Sequence, residues 1–285
     1  MRSESGATGR LEPPVPGLPL PLTGRTSLFA ILGDPIAQAG SPILFNTAFQ
    51  QRGWPSVLVP MLVTAQDLTE VLQGLRHIGN LRGLLLTTPH KTEALELVEC
   101  LGWEARLVRS INAIRCDKDG RWHGENFDGL GCVEGLKAAG HHLKSQRVLI
   151  VGTGGAGRAV AAAVARETPA LLRLNDADAK RAEATCADLA SAFAGLVIET
   201  GPPDPEGFGV VINCTPLGMK DTPGMAVEPA RLAAGTVVAD LVIEPETTAL
   251  LAAAIARGCL IQPGLRTLEG QVNAVCAFFE GEEIA

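Results

Sequence analysis

Residues 147–166 read RVLIVGTGGAGRAVAAAVAR, and this stretch decides the fold. Arg147–Val151 is a short aliphatic run of the kind found in strands buried on both faces. Gly152-Thr153-Gly154-Gly155-Ala156-Gly157 interrupts it, and residues 158–166 are alanine-rich and favour a helix. A strand that enters a helix through Gly152-x-Gly154-x-x-Gly157 is built to rest a pyrophosphate on the helix N-terminus. Gly152 permits the tight turn, Gly154 lets the backbone approach the phosphates, and Gly157 lets helix and strand pack closely. Asp176 ends the next strand, 19 residues after Gly157. A carboxylate there can accept hydrogen bonds from the adenosine ribose hydroxyls and would repel a 2′-phosphate. The stretch therefore predicts a Rossmann-type nicotinamide site that takes NAD in preference to NADP. Lys180 and Arg181 lie close by and work against that preference. Asp178 reads equally well as the cap of the helix that follows.

Downstream, Leu171–Leu174, Val210–Asn213 and Val237–Leu241 read as strands. Ala179–Ala192, 246–256 and about 265–280 read as helices. Upstream, Ser27–Leu32, Val57–Val63 and Leu81–Leu86 read as strands. Helices are expected from Ser41-Pro42, with Ser41 as N-cap, over Ala65–Arg76, and over Glu93–Leu101. Strands and helices alternate in both halves, so the fold class is α/β. An N-terminal α/β substrate domain precedes a C-terminal Rossmann-type doubly wound parallel sheet. The boundaries are drawn at 27–128 for the substrate domain, completed by the helix at 265–285, and at 129–264 for the cofactor domain. Residues 126–145 carry the chain between them. Residues 1–26, with Pro13, Pro14, Pro16, Pro19 and Pro21, keep no period and read as a disordered leader.

The chain has 285 residues, is 46% hydrophobic and 19% charged, and carries a net charge of -7. Such an acidic balance argues against nucleic-acid and membrane-surface partners, which favour basic faces. No apolar run approaches the ~20 residues of a membrane span. The N-terminus has no apolar signal-peptide core, so the cytoplasm is the expected compartment. The seven cysteines include no CxxC pair and no histidine at metal-ligand spacing, which predicts reduced thiols and no metal site.

Hydride exchange at a carbinol also moves a proton, and an ammonium held by a carboxylate can carry it. Lys91 follows a strand and the turn Thr87-Thr88-Pro89-His90. Asp128 sits in Asn126-Phe127-Asp128-Gly129, where the two domains meet. Spacing alone leaves a solvated first-turn lysine and a helix-capping aspartate as open alternatives.

Eight segments in order resemble the shikimate/quinate dehydrogenase family. They are Gly33-Asp34-Pro35-Ile36 with Ser41-Pro42, Thr87-Thr88-Pro89-His90-Lys91, Ile111-Asn112-Ala113, and Asn126-Phe127-Asp128-Gly129. The glycine loop with Arg158, Asn213 to Met219, Pro245-x-x-Thr248 with Leu250-Leu251, and Gly264-x-x-x-Leu268-x-x-Gln271 complete the set. The resemblance implies that Lys91 and Asp128 are the catalytic pair, with Lys91 donating a proton to the substrate carbonyl oxygen. It implies that Thr87, Asn112 and Gln271 bind ring hydroxyls and that Ser41 helps hold a carboxylate. The cofactor would lie along Gly152, Gly154, Gly155, Gly157, Asn175, Asp176, Thr215, Gly218, Met219, Val242 and Gly264. The substrate would be a small cyclic hydroxy-carboxylate, bound in a cleft between the domains. A homodimer is compatible with the sequence.

Four positions depart from the family pattern. Ala39 replaces the first serine of Ser-x-Ser-Pro, Leu85 an asparagine, Phe127 a threonine and Ile243 a tyrosine. All four lose polar groups expected near the substrate, and a lost hydrogen bond to a charged group costs roughly 1.5–3 kcal/mol. The reaction type is therefore expected to persist while the natural substrate shifts, for example to a less polar ring carboxylate. Two other readings compete: an NAD-dependent quinate or cyclitol-carboxylate dehydrogenase, and a non-catalytic nicotinamide sensor. Retention of Lys91 and Asp128 argues against the sensor. The chain has no tyrosine, which excludes tyrosine–lysine dehydrogenase chemistry.

Overall fold

Six strands, β1 (Ser27–Gly33), β2 (Ser56–Leu62), β3 (Leu81–Leu86), β4 (Cys100–Leu101), β5 (Ala113–Cys116) and β6 (Trp122–Glu125), form one mixed sheet. Its order is β2-β1-β3-β5-β6-β4, with β5 antiparallel to both its neighbours. Helices α1 (Ser41–Gln51), α2 (Leu68–Leu75) and α3 (Trp103–Val108) connect these strands. After α4 (Asp128–Ala138), six more strands form a wholly parallel sheet: β7 (Arg147–Val151), β8 (Leu171–Asn175), β9 (Ile198–Thr200), β10 (Val210–Asn213), β11 (Val237–Asp240) and β12 (Leu260–Gln262). Helices α5 (Gly155–Arg166), α6 (Ala179–Ala192) and α7 (Ala249–Ala256) link them, and α8 (Gly264–Glu280) closes the chain. This computed structural model describes residues 22–281, so most of the leader expected over 1–26 lies outside the described residues.

The second sheet runs β12-β11-β10-β7-β8-β9. Its order reverses at β7, the position where open parallel sheets form a ligand crevice beyond their carboxyl ends. Register aligns Asn175, Val151, Asn213 and Asp240 in one row along that edge. The glycine loop leaves from this row. Buried aliphatics of β7, β8 and β10 pack on the alanine-rich α5 to make the core of this half.

Helix α4 occupies part of the segment expected to be a connection. Gly129, Gly131 and Gly135 weaken its intrinsic helix propensity, so local sequence alone gives little sign of it. Tertiary packing supplies the missing stability. A Cβ on Gly131 would stand 2.3 Å from the Thr267 carbonyl oxygen of α8, and one on Gly129 would stand 2.1 Å from the Ala159 oxygen of α5. Helix α4 therefore touches α8 on one side and α5 on the other, backbone to backbone. Helix α8 also reaches the first sheet, where Phe279 lies 4.8 Å from Phe29 between ring centroids.

Three local expectations are corrected. Glu93–Leu97 forms only a short 3-10 turn, because Cys100–Leu101 pairs with β6 instead of continuing a helix. Residues 65–67 are also 3-10, and the helix proper starts at Leu68. Helix α7 starts at Ala249, where the Thr248 hydroxyl accepts the Leu251 amide at 3.2 Å.

Gly131→Ala forces a methyl group against backbone and should cost about 1–3 kcal/mol or more. Gly74, in α2, has nothing within 4 Å of its would-be Cβ. Gly74→Ala should therefore be neutral or stabilising by about 0.5 kcal/mol. Thermal and denaturant unfolding of both variants checks the pair, and equal effects would contradict the packing account.

Candidate active site

The turn Thr87–Lys91 is tied down on three sides. The Thr87 amide donates to the Leu32 carbonyl at 3.0 Å, and the Ile111 amide donates to the Lys91 carbonyl at 2.8 Å. The His90 ring, fully buried, places Nε2 2.9 Å from the Val63 carbonyl. On this base Lys91 Nζ reaches Asp128 Oδ2 at 2.5 Å. Asp128 is the first residue of α4, and its amide donates to Asn126 Oδ1 at 3.0 Å. The other carboxylate oxygen, Oδ1, accepts from Asn112 Nδ2 at 2.8 Å. The same Nδ2 donates to Gln271 Oε1 at 2.9 Å, and Asn112 Oδ1 accepts the Phe127 amide at 2.9 Å. Asn112 is thus fixed at both ends of its amide, and it holds Asp128 in turn.

These side chains border a cavity of about 110 Å³. Ser41, Thr87, Lys91, Asn112, Asp128 and Gln271 all line it, as do Ala39, Phe45, Leu85, Ile243 and Leu268. Ser41 was expected to cap α1. Gly40 takes that position instead, and Ser41 is the first helical residue, with no capping bond from its side chain. Phe127 does not line the cavity. Its ring packs on Phe278 at 5.4 Å, in the hydrophobic cluster beneath α8. The threonine-to-phenylalanine departure therefore falls outside the substrate wall, because α4 begins by turning residue 127 inward and residue 128 toward Lys91.

The glycine loop fits a dinucleotide. Gly152 has φ +93°, and a Cβ on Gly157 would stand 1.9 Å from the Gly152 carbonyl oxygen. Gly154 caps α5 and has open space where its side chain would be, and Gly155 is exposed beside it. Asp176 accepts from the Thr153 amide at 2.7 Å and hydroxyl at 2.9 Å, and from the Asp178 amide at 2.9 Å. Burial raises its pKa, but these hydrogen bonds and Arg181 outweigh that and hold the carboxyl below its ordinary value. Asp178 caps α6 by accepting the Lys180 amide. Asn175 turns its amide to the Gly201 carbonyl at 2.8 Å. Met219 is exposed. Gly264 lies so near Val242 that a Cβ would stand 2.4 Å from its carbonyl oxygen.

Sequence reasoning missed one network. Asn213 Nδ2 donates to Asp240 Oδ1 at 3.0 Å, and the Thr248 hydroxyl donates to Asp240 Oδ2 at 2.7 Å. Asn213 Oδ1 accepts from the Thr215 amide and hydroxyl, and the Val242 amide closes on Asp240 Oδ1 at 3.0 Å. The network braces Thr215 and Val242, both expected along the cofactor. The available signal was a polar residue ending each of two apolar strands. Among the described residues no cluster is arranged to hold a metal, and no helix is long and apolar enough to cross a membrane. All seven cysteines are free, and burial pushes the thiols of Cys116 and Cys132 up to about 12.

The model of the shikimate dehydrogenase substrate-binding domain matches residues 31–114. Shikimate dehydrogenase (NADP(+)) of Geobacter metallireducens is 30% identical over 270 residues, covering 92% of this chain and 94% of that protein. The chain belongs to the shikimate dehydrogenase family. Two solved structures have the same fold. Shikimate 5-dehydrogenase from Listeria monocytogenes, in complex with shikimate and NAD, superposes with TM-score 0.82 at 27% identity, covering 92% of this chain and 94% of that one. Quinate dehydrogenase from Corynebacterium glutamicum, in complex with NAD, superposes with TM-score 0.81 at 28% identity, covering 90% and 95%.

In this member a larger cleft, about 490 Å³, opens elsewhere, beside Trp103, Glu104, Phe127, Arg166 and Phe278. It contains none of the expected catalytic or substrate residues. Burial pushes the Glu104 carboxyl up from 4.5 to about 7, against Arg166, which lowers it, and with Glu125, which adds to the rise. The folded protein thus holds this proton at a pH where the unfolded chain has lost it. Glu104's contribution to stability is complete below 4.5 and is lost as pH rises through about 7. Unfolding free energies of the native protein and Glu104→Gln, measured between about pH 5 and about pH 8, should diverge in favour of the variant as pH rises. Parallel profiles would contradict the assignment.

Proposed function

We propose that this chain catalyses reversible hydride transfer of the shikimate dehydrogenase type. The reacting partners are a nicotinamide dinucleotide and a ring hydroxyl or ketone of shikimate, 3-dehydroshikimate or a related cyclic substrate. The observation that carries this reading is the 2.5 Å contact between Lys91 and Asp128 at the wall of a small cavity, with Asn112 and Gln271 beside it.

When held at the Gly152–Gly157 loop, a nicotinamide would supply a hydride to the carbonyl carbon or accept one from the carbinol. The remaining steps belong to the protein. Lys91 Nζ, held toward the cavity by Asp128, donates a proton to the carbonyl oxygen as the carbon is reduced, and takes it back in the oxidative direction. A positioned acid or base of this kind contributes roughly 10²–10⁴ in rate. Asp128 balances the lysine charge and accepts a hydrogen bond from the substrate hydroxyl region. Asn112, Thr87 and Gln271 orient the ring through its other hydroxyls. Lys91 is about one-fifth exposed, which gives it access to solvent for proton exchange.

For the cofactor we infer NAD over NADP. Asp176 stands at the end of β8 with its charge stabilised by Thr153 and the Asp178 amide, where a 2′-phosphate would meet it. Arg181 approaches Asp176 at 3.6 Å and neutralises part of that charge, so the preference is moderate.

Initial rates with shikimate and with quinate, each with NAD and with NADP, test both points. The account expects reduced nicotinamide to form, with kcat/KM favouring NAD by at least about tenfold. A preference for NADP would overturn the role given to Asp176. Absence of turnover with these acids and with their neutral carboxamides would overturn the reaction.

A further inference from the structure

The cleft of about 490 Å³ beside Trp103 and Glu104 has the size of a small-molecule site. Its walls come from both halves of the fold. Trp103 and Glu104 of α3 stand on one side, and Ala163 and Arg166 of α5 on the other. Leu130 and Val133 of α4 and Phe278 of α8 give it an apolar floor. Asp128, also on α4, lines the catalytic cavity instead, so the two spaces share a helix and no lining residue.

The polar groups of the cleft do not balance. Glu104 is buried, and its Oε2 pairs with Arg166 Nη2 at 2.9 Å. Its other oxygen, Oε1, is buried without a hydrogen-bond partner among the described residues. A buried oxygen left without a donor is costly, and a donor on a ligand would relieve it. Glu125 lines the cleft as well. Its Oε1 accepts the Ala105 amide at 2.7 Å and the Asn126 amide at 2.8 Å. Gly102 leaves that carboxylate room, because a Cβ there would collide with Glu125 Oε2. Glu104 and Glu125 repel each other, and Arg166 is the one cation of the cleft paired with either. It is parked against the wall, its Cζ 4.2 Å from the Trp103 ring centroid. The other charged groups are engaged elsewhere. Glu167, just past α5, holds Lys137 at 2.8 Å. Arg115 and His123, on the sheet side, both turn to Asp117, at 2.8 and 2.9 Å. With both carboxylates ionised, Glu104, Glu125 and Arg166 together leave one negative charge uncompensated.

An excess negative charge over an apolar floor recognises a cation with an apolar body, and it disfavours an anion. We propose that this cleft is a second binding site, for a small organic cation: a ring or short chain bearing one primary ammonium. The ammonium donates to Glu104 Oε1, and the apolar body lies on Leu130, Val133 and Phe278. Phe127 lines the same cleft, and its amide donates to Asn112 Oδ1, the residue that holds Asp128. An occupant therefore rests against the segment from which α4 and Asp128 start.

Benzylamine is the probe, with benzyl alcohol and benzoate as neutral and anionic controls built on the same ring. Calorimetry on the whole protein measures their binding, with and without saturating NAD and shikimate. At about pH 8 benzylamine should bind about tenfold more tightly than benzyl alcohol, and benzoate should show no saturable binding. Benzylamine affinity should rise about tenfold from about pH 6 to about pH 8, because the Glu104 carboxyl, pushed up to about 7, ionises across that range. Glu104→Gln keeps an acceptor for Arg166 and removes the charge. It should lower the affinity at about pH 8 by about tenfold and abolish the pH dependence. Equal binding of amine and alcohol, an unmoved Kd in Glu104→Gln, or displacement of benzylamine by NAD or shikimate overturns the proposal. So does the absence of saturable benzylamine binding. The amine-to-alcohol ratio and the pH slope are read on the native protein, so they decide the matter even if the variant fails to fold. None of these readings depends on turnover, and the dehydrogenase reading stands or falls apart from them.

Discussion

The site depends on one constraint: α4 must lie backbone to backbone against α8 and α5 at its glycines. Gly131 meets the Thr267 carbonyl, Gly270 meets the Gly131 carbonyl, and Gly129 meets the Ala159 carbonyl, each too closely for a Cβ. This contact sets where α4 begins, and Asp128 is its first residue. It sets the face that α8 turns inward, and with it Gln271. It also ties the helix that follows the glycine loop to the same unit. Asp128, Gln271 and the glycine loop are thus referred to a single helix. This explains how two sheets with no shared strand can present one site.

Electrostatics then decides what the site does. An ammonium and a carboxylate in contact and mostly buried are costly unless their remaining hydrogen-bonding capacity is met. Asn112 meets part of it for Asp128, and it is held by Gln271 and the Phe127 amide. The pair is therefore preorganised, with little reorientation left for the moment of proton transfer. The same reasoning applies across the second sheet. Asp240 is buried, which raises its pKa, and it is answered by Thr248, Val242 and Asn213. It holds the loops that carry Thr215 and Val242, whereas Asp176 keeps its charge beside the glycine loop.

Much of this was legible in the chain. The glycine loop, the strand before it and the carboxylate after it follow from short-range rules of turn geometry and helix-end charge. The six residues expected to act on substrate do line one cavity, although they come from five separate segments. What escaped reading was set over long range. Helix α4 looked like a linker because its glycines matter only once α5 and α8 are in place. The Asn213–Asp240–Thr248 network depends on strand register, which no single segment reveals. Phe127 looked like a change in the substrate wall, and only the start of α4 shows that its ring faces the hydrophobic cluster instead. Ala39, Leu85 and Ile243 do face the cavity, so the altered wall is narrower than the sequence suggested.

The central claim is that Lys91 and Asp128 act as one unit, held by α4. A double-mutant cycle on kcat/KM tests it most directly, with Lys91→Ala, Asp128→Ala and the double variant, and with nicotinamide binding measured alongside. The account predicts strong non-additivity: the double variant is about as slow as the slower single variant, and cofactor affinity is nearly unchanged. Losses that simply multiply, or that track weakened cofactor binding, would contradict it.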